Sequence, residues 1–242
     1  MSASNRLGDR LAGLRITPGA LVIIGLEIGL SLIWLLSGPE ARLKLAEYVA
    51  ATPSNVFEHG RVWTLVTGIF LETQFIALLL HGVVMWSFVP TLERFWGTAR
   101  FYRFFAVTSL VGMVAGISMG WVTGREMPIT GLDPFIYASI VAFGIVYARQ
   151  PVQFFGVLPL TGRQLMYGFI GFLVLYIGLQ QFWELGAAFA ASMIAAAIMT
   201  SKRFSPGLVY RRWRIGRARA KLSVIDGGKK PTRPRDEHKW LN

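Results

Sequence analysis

Few residue types in this chain could do chemistry. Cys is absent, which removes disulfides, thiolate nucleophiles and Cys-ligated metals. The imidazoles are His59, His81 and His238, too scattered along the chain to predict a metal set, and no cofactor is expected. Glu27 and His81 lie inside apolar stretches. An ionisable group in hydrocarbon costs several kcal/mol, on the order of 3, unless neutral or paired, so Glu27 should face a bundle interior or water and His81 should be buried and hydrogen-bonded. Asp133 stands in Gly131-Leu132-Asp133-Pro134, where a short polar loop turns into an apolar helix. Asp accepts from first-turn amides and Pro fits the next position, so Asp133 is expected to cap that helix. A carboxylate nucleophile or proton site is the chemical alternative, and the lack of a second carboxylate in view argues against an aspartyl protease. Ser139 and Ser192 lie on small-residue faces, where Ser commonly bonds back to its own helix carbonyls, and neither has a visible base.

The elements that position these residues are membrane spans. The chain has 242 residues, 53% apolar, with mean hydropathy +0.48 and several apolar runs near the roughly 20 residues that cross a bilayer. The reading is an all-α, polytopic membrane helical bundle. The net charge of +12 would suggest nucleic acid in a soluble protein, but between Lys202 and Asn242 there are 13 Lys/Arg against three acids. That is a basic tail behind a hydrophobic body, and no nucleic-acid partner is expected. Within it Arg211, Arg212, Arg214, Arg217, Arg219 and Lys221 surround Trp213, a pattern that predicts binding to anionic lipid headgroups. Met1 to Arg15 is polar and basic without a cleavage-site pattern, so it is not read as a removable signal peptide.

Ile16 to Gly38 is the first span, followed by a polar connection whose Glu40 to Ala51 part has amphipathic spacing suited to a helix on the membrane surface. Leu71-Glu72-Thr73-Gln74 interrupts an apolar run before the second span, Phe75 to Val89. Pro90 to Arg100 reads as a turn in which Glu93 pairs with an Arg or Trp96 anchors at the headgroups. Phe101 to Val122 is the third span, with Gly112, Gly116 and Gly120 leaving one strip nearly bare backbone for a close neighbour. Pro134 to Tyr147 is the short fourth span, Val152 to Gly162 a surface loop, Leu165 to Phe182 the fifth span, and Glu184 to Thr200 a small-residue sixth. Six spans put both termini on one side. Arg6, Arg10, Arg15, Arg94, Arg100, Arg103, Arg149, Arg163 and the tail make that side cytoplasmic. The domains expected are a basic segment 1–15, a membrane domain 16–201 and a basic tail 202–242.

From about Gly60 to Ser201 the chain resembles the rhomboid family. Gly60-Arg-Val-Trp-Thr-Leu-Val-Thr-Gly-Ile-Phe-Leu is similar to the start of the family's second helix, with Thr64 where the family has Arg. Leu92-Glu93-Arg94-Phe-Trp-Gly97-Thr-Ala-Arg100-Phe resembles the start of its third, and Gly186 to Ser192 its small-residue sixth helix. The resemblance implies a rhomboid-like six-transmembrane core. Active rhomboids use a Ser on the fourth helix, a His on the sixth as base, and a His and an Asn on the second to stabilise the oxyanion. The matching positions here are Asp133, Phe189, Ala77 and His81 respectively. Phe189 takes no proton and Asp133 has no hydroxyl, so the dyad is lost at two places. Leu71-Glu72 and Glu93…Trp96-Gly97 also resemble, more weakly, the non-proteolytic branch typified by transmembrane protein 115.

The resulting expectation is a pseudoprotease that binds transmembrane segments of client proteins in trafficking or quality control, as the inactive branches, iRhoms and derlins among them, imply. The alternatives are a rhomboid-type serine protease with a displaced Ser and His81 as base, and a transporter or channel using Glu27, His81 and Asp133 as a polar path. The transporter or channel reading lacks the paired broken helices or inverted repeats it should have.

Overall fold

A computed structural model describes residues 16–154 and 158–201. The elements run α1 (Pro18–Leu36), α2 (Pro39–Val49), a π-helical turn (Ser54–Glu58), α3 (Thr64–Thr67) continued by a 3₁₀ turn (Gly68–Phe70), α4 (Phe75–Ser87), α5 (Val89–Trp96), α6 (Thr98–Thr123), α7 (Asp133–Val146), the hairpin β1 (Pro151–Phe154) and β2 (Leu158–Thr161), α8 (Gly162–Gln180) and α9 (Trp183–Thr200). The hairpin pairs Pro151 with Thr161 and Phe154 with Leu158 in antiparallel register, so the segment expected as a plain loop contains two short strands. The basic segment 1–15 and the tail with Arg211, Arg212, Arg214, Arg217, Arg219 and Lys221 lie outside the described residues.

Among the described residues four helices, α1, α6, α8 and α9, are long and apolar enough to cross a membrane. Between 22% and 39% of each span window is buried, and outward residues such as Leu26, Leu36, Phe172, Leu175 and Leu179 are exposed. Apolar surface on helices of spanning length suits contact with lipid tails. The protein is an integral, multi-pass membrane protein. The polar break at 71–74 is a sharp bend: α3 with its 3₁₀ turn meets α4 at 82°, and the pair would form a fifth span if it crosses as one. At 14 residues α7 is shorter than the about 20 that a full crossing takes, and neighbours enclose it along almost its whole length. Ten of its residues are buried.

The core forms where α7 meets α6 and α9. Phe135 is fully buried and meets Phe101, Phe104 and Phe105 edge-on at centroid distances of 5.9, 6.1 and 5.0 Å, the geometry ring quadrupoles prefer. The glycine strip of α6 does what its spacing predicts. A Cβ at Gly116 would stand 3.0 Å from Ala188 Cβ and 3.1 Å from the Glu184 carbonyl oxygen, and one at Gly112 3.0 Å from the Ala188 carbonyl oxygen. Backbone therefore lies almost on backbone between α6 and α9.

Glu93 corrects the sequence reading. It sits on α5 rather than in a turn, is 2% exposed, and reaches back 74 positions to the start of α1. The amides of Gly19 and Ala20 each donate to its carboxylate at 3.0 Å, the Thr17 hydroxyl donates to Oε2, and the Thr98 hydroxyl donates to Oε1 at 3.0 Å. Thr17, the residue in the cap position, makes no side-chain cap bond of its own, so the orphan amides of the first turn are satisfied from a distance. At the other end of α1, Arg42 of α2 donates to the carbonyls of Trp34 and Leu35 at 3.0 and 2.7 Å.

Candidate functional site

The loop that leads into α7 is pinned before the helix starts. Ile129 N donates to Ala51 O and Gly131 N to Gly68 O, each at 2.9 Å. Gly131 has φ +86°, a left-handed conformation that side chains resist. A Cβ there would lie 2.7 Å from Glu72 Oε2, so glycine is needed for both the turn and the close approach of that carboxylate.

Asp133 is not the cap. The helix begins at Asp133 itself, Leu132 occupies the cap position, and no side-chain cap bond forms. The Asp133 carboxylate instead meets His81, with Oδ1 3.1 Å from Nε2. The reason is tertiary: α4 carries His81 to the mouth of α7, and a ring N–H offers a carboxylate a stronger partner than the helix end does. On its other side His81 Nδ1 lies 2.6 Å from Glu27 Oε1 of α1. Glu27 and His81 are buried at 0% and 4% exposure, while the Asp133 side chain is 38% exposed. The three residues considered as a polar path are thus one continuous chain across α1, α4 and α7.

Glu72, at the bend before α4, completes the group. It is buried, its Oε1 accepts from Gln74 N at 2.8 Å, and its own amide donates to Ser31 Oγ of α1 at 2.8 Å. Glu27, Glu72 and His81 offer ligand atoms that all lie within 4.8 Å of one another. The spacing of imidazoles in the sequence predicts no such set; the fold builds one from a single imidazole and two carboxylates that the chain keeps far apart. In the sequence Glu72 is an acid in a polar break and looks like ordinary interface sequence. The one available signal was its position before a span that also carries His81. A cavity of about 380 Å³ opens beside this group, and its lining mixes the polar Glu72, Thr73, Gln74, Thr130 and Asp133 with the apolar Trp34, Met127 and Leu185.

Phe189 lies on α9, buried at 4% exposure, with its ring 4.7 Å from the Tyr137 ring of α7. It faces the same helix as Asp133, one turn further along, and presents no atom that accepts a proton. Ala77 is half-buried on α4, one turn before His81, and a methyl group donates nothing to an oxyanion. Ser192 Oγ donates to the Phe189 carbonyl at 2.8 Å, and Ser139 Oγ is buried without a hydrogen-bond partner. Both ring nitrogens of His81 are taken up by carboxylates, and among the described residues neither serine is hydrogen-bonded to an imidazole or a carboxylate.

The family described as "Eukaryotic integral membrane protein (DUF1751)" matches residues 21–201. That range runs from the first turn of α1 to the end of α9. The Bacillus subtilis (strain 168) protein named "Putative rhomboid protease YdcA" is 27% identical over 146 residues, 60% of this chain. The match spans 65% of that protein's length, a little under two thirds.

Proposed function

This chain belongs to the eukaryotic integral membrane protein family DUF1751 and is rhomboid-like, and on that premise we propose that it is a non-proteolytic member that binds transmembrane segments of client proteins. The observation that carries the reading is the state of the site. Where a rhomboid nucleophile would stand, Asp133 is held by His81 at 3.1 Å, and where the base would stand, Phe189 packs on Tyr137. Acyl transfer needs a hydroxyl beside a group that takes its proton, and neither half is there. The cavity beside the site is lined by both polar and apolar side chains. Such a lining suits a helix end that leaves the bilayer and exposes backbone groups.

In the same reading the bundle has six crossings, counting α7 and the bent α3–α4 pair with the four long helices. The membrane domain is 16–201, both termini face the cytoplasm, and the tail residues Arg211 to Lys221 rest on anionic headgroups. Client binding is tested with a photo-crosslinking residue placed at Thr73, on the cavity wall, and at Leu179, 83% exposed on α8, each in native membranes. The expected result is discrete adducts with transmembrane proteins from position 73 and only lipid or diffuse adducts from 179. The same adduct pattern at both positions would refute a client site at the cavity.

A further inference from the structure

The Glu27, Glu72 and His81 group is unfinished as a hydrogen-bonded structure. Glu27 is fully buried, and its Oε2 makes no hydrogen bond of ordinary geometry, with the Leu132 amide the nearby backbone donor to the carboxylate. Leaving a buried carboxyl oxygen unpaired is costly. His81 meets carboxylates at both ring nitrogens, so what stands between it and Glu27 depends on where its protons are. A neutral imidazole that donates from Nε2 to Asp133 Oδ1 at 3.1 Å turns its Nδ1 lone pair toward Glu27 Oε1 at 2.6 Å. A lone pair and a carboxylate oxygen repel at that distance unless a proton or a cation stands between them. Glu72 enters from a third direction, over a glycine whose missing Cβ leaves room for Oε2.

We propose that Glu27, Glu72 and His81 Nδ1 bind one divalent transition-metal cation, with Zn²⁺ as the reference ion, and that Asp133 orients the imidazole through Nε2. Four features agree. The ligand atoms already lie within 4.8 Å of one another; about a tetrahedral zinc they would stand about 3.3 Å apart at bonds of about 2.0–2.1 Å, so on binding the 2.6 Å approach of Glu27 Oε1 to His81 Nδ1 opens and the wider approaches close, both by carboxylate rotation. Two carboxylates, a neutral imidazole and a divalent ion sum to zero charge, which removes the repulsion of two buried anions in a membrane protein. A ring N–H held by a carboxylate is the usual support of a metal-bound His, since it fixes the tautomer and aims the other nitrogen. Finally, the cavity walled by Glu72 and Asp133 gives the ion a path from outside. One nitrogen and two oxygens suit Zn²⁺ or Mn²⁺ better than Ca²⁺, which prefers all-oxygen cages, or Cu⁺, which prefers sulfur.

The test uses the full chain in detergent, purified with an affinity tag free of histidine, and ZnCl₂ or MnCl₂ as the probe. The expected result is one retained metal ion per chain after desalting and a saturable rise in Tm that a chelator reverses. Glu72→Gln and His81→Gln should abolish retention. The milder Asp133→Asn keeps an acceptor for Nε2 and so preserves the fold; it should weaken binding about 10- to 100-fold. No retained metal and no Tm response in the wild type would overturn the proposal and leave a proton shared between Glu27 and His81. Metal retained equally by the wild type and by Asp133→Asn and His81→Gln would overturn it too, since the ion would then sit elsewhere.

Discussion

Glu93→Ala is the sharpest structural perturbation this fold offers. The substitution removes the acceptor of the Gly19 and Ala20 amides, both at 3.0 Å, and of the Thr17 and Thr98 hydroxyls. The two amides sit in a buried first turn and no other acceptor is at hand. Each orphaned donor costs about 1–3 kcal/mol, and losing a negative group at a helix N-terminus adds about 0.3–1 kcal/mol. For the two amides the total is about 2–7 kcal/mol, at or beyond the upper end of ordinary point substitutions. Glu93→Gln keeps one acceptor oxygen and the shape, so it should cost roughly half as much. Unfolding would be followed by tryptophan fluorescence in mixed micelles, with Lys44→Ala, exposed on α2, as a control expected within about 0.5 kcal/mol of wild type. If Glu93→Ala unfolds like Lys44→Ala, the remote cap is not what holds α1 in place, and the account of that contact is wrong.

Phe135→Ala empties the slot among Phe101, Phe104 and Phe105 and should destabilise by about 3–5 kcal/mol in the same unfolding assay. Gly116→Val forces side-chain atoms into the Glu184 carbonyl and Ala188, already 3.0–3.1 Å from a bare Cβ; a loss of about 1–3 kcal/mol is expected, while Gly29→Ala, open on α1, should be neutral or stabilising. Gly131→Ala meets both a positive φ and Glu72 Oε2, so it should cost about 1–3 kcal/mol. A Tm equal to wild type would show that the Gly131 turn is not constrained as described.

What could be read in advance was whatever depends on local pattern. The four-residue glycine spacing of α6 predicts a close helix neighbour, and α9 is that neighbour. The polar interruption at 71–74 marks the bend, and the charge in the first span marks a side chain that faces inward. Pairings across long separations were not legible. Asp133 looks like a cap because Asp-Pro at a helix start is a local signal; its partner His81 lies 52 positions away, and nothing in periodicity announces it. Glu93 looked like an interface residue for the same reason, since its four donors come from α1 and α6 rather than from its own turn. Glu72 joins the site only through the bend, whose direction depends on how α1 and α7 pack on either side of it.

The central claim, that this rhomboid-like site does not cut peptide bonds, is tested most directly by cleavage of a generic rhomboid substrate in liposomes beside an active rhomboid control. The account predicts no product from the wild type, and none from Asp133→Ser, because the restored hydroxyl still faces Phe189 and lacks a base. Product formation by the wild type that His81→Ala abolishes, with the fold intact, would contradict it and point to Ser139 or Ser192 as the nucleophile.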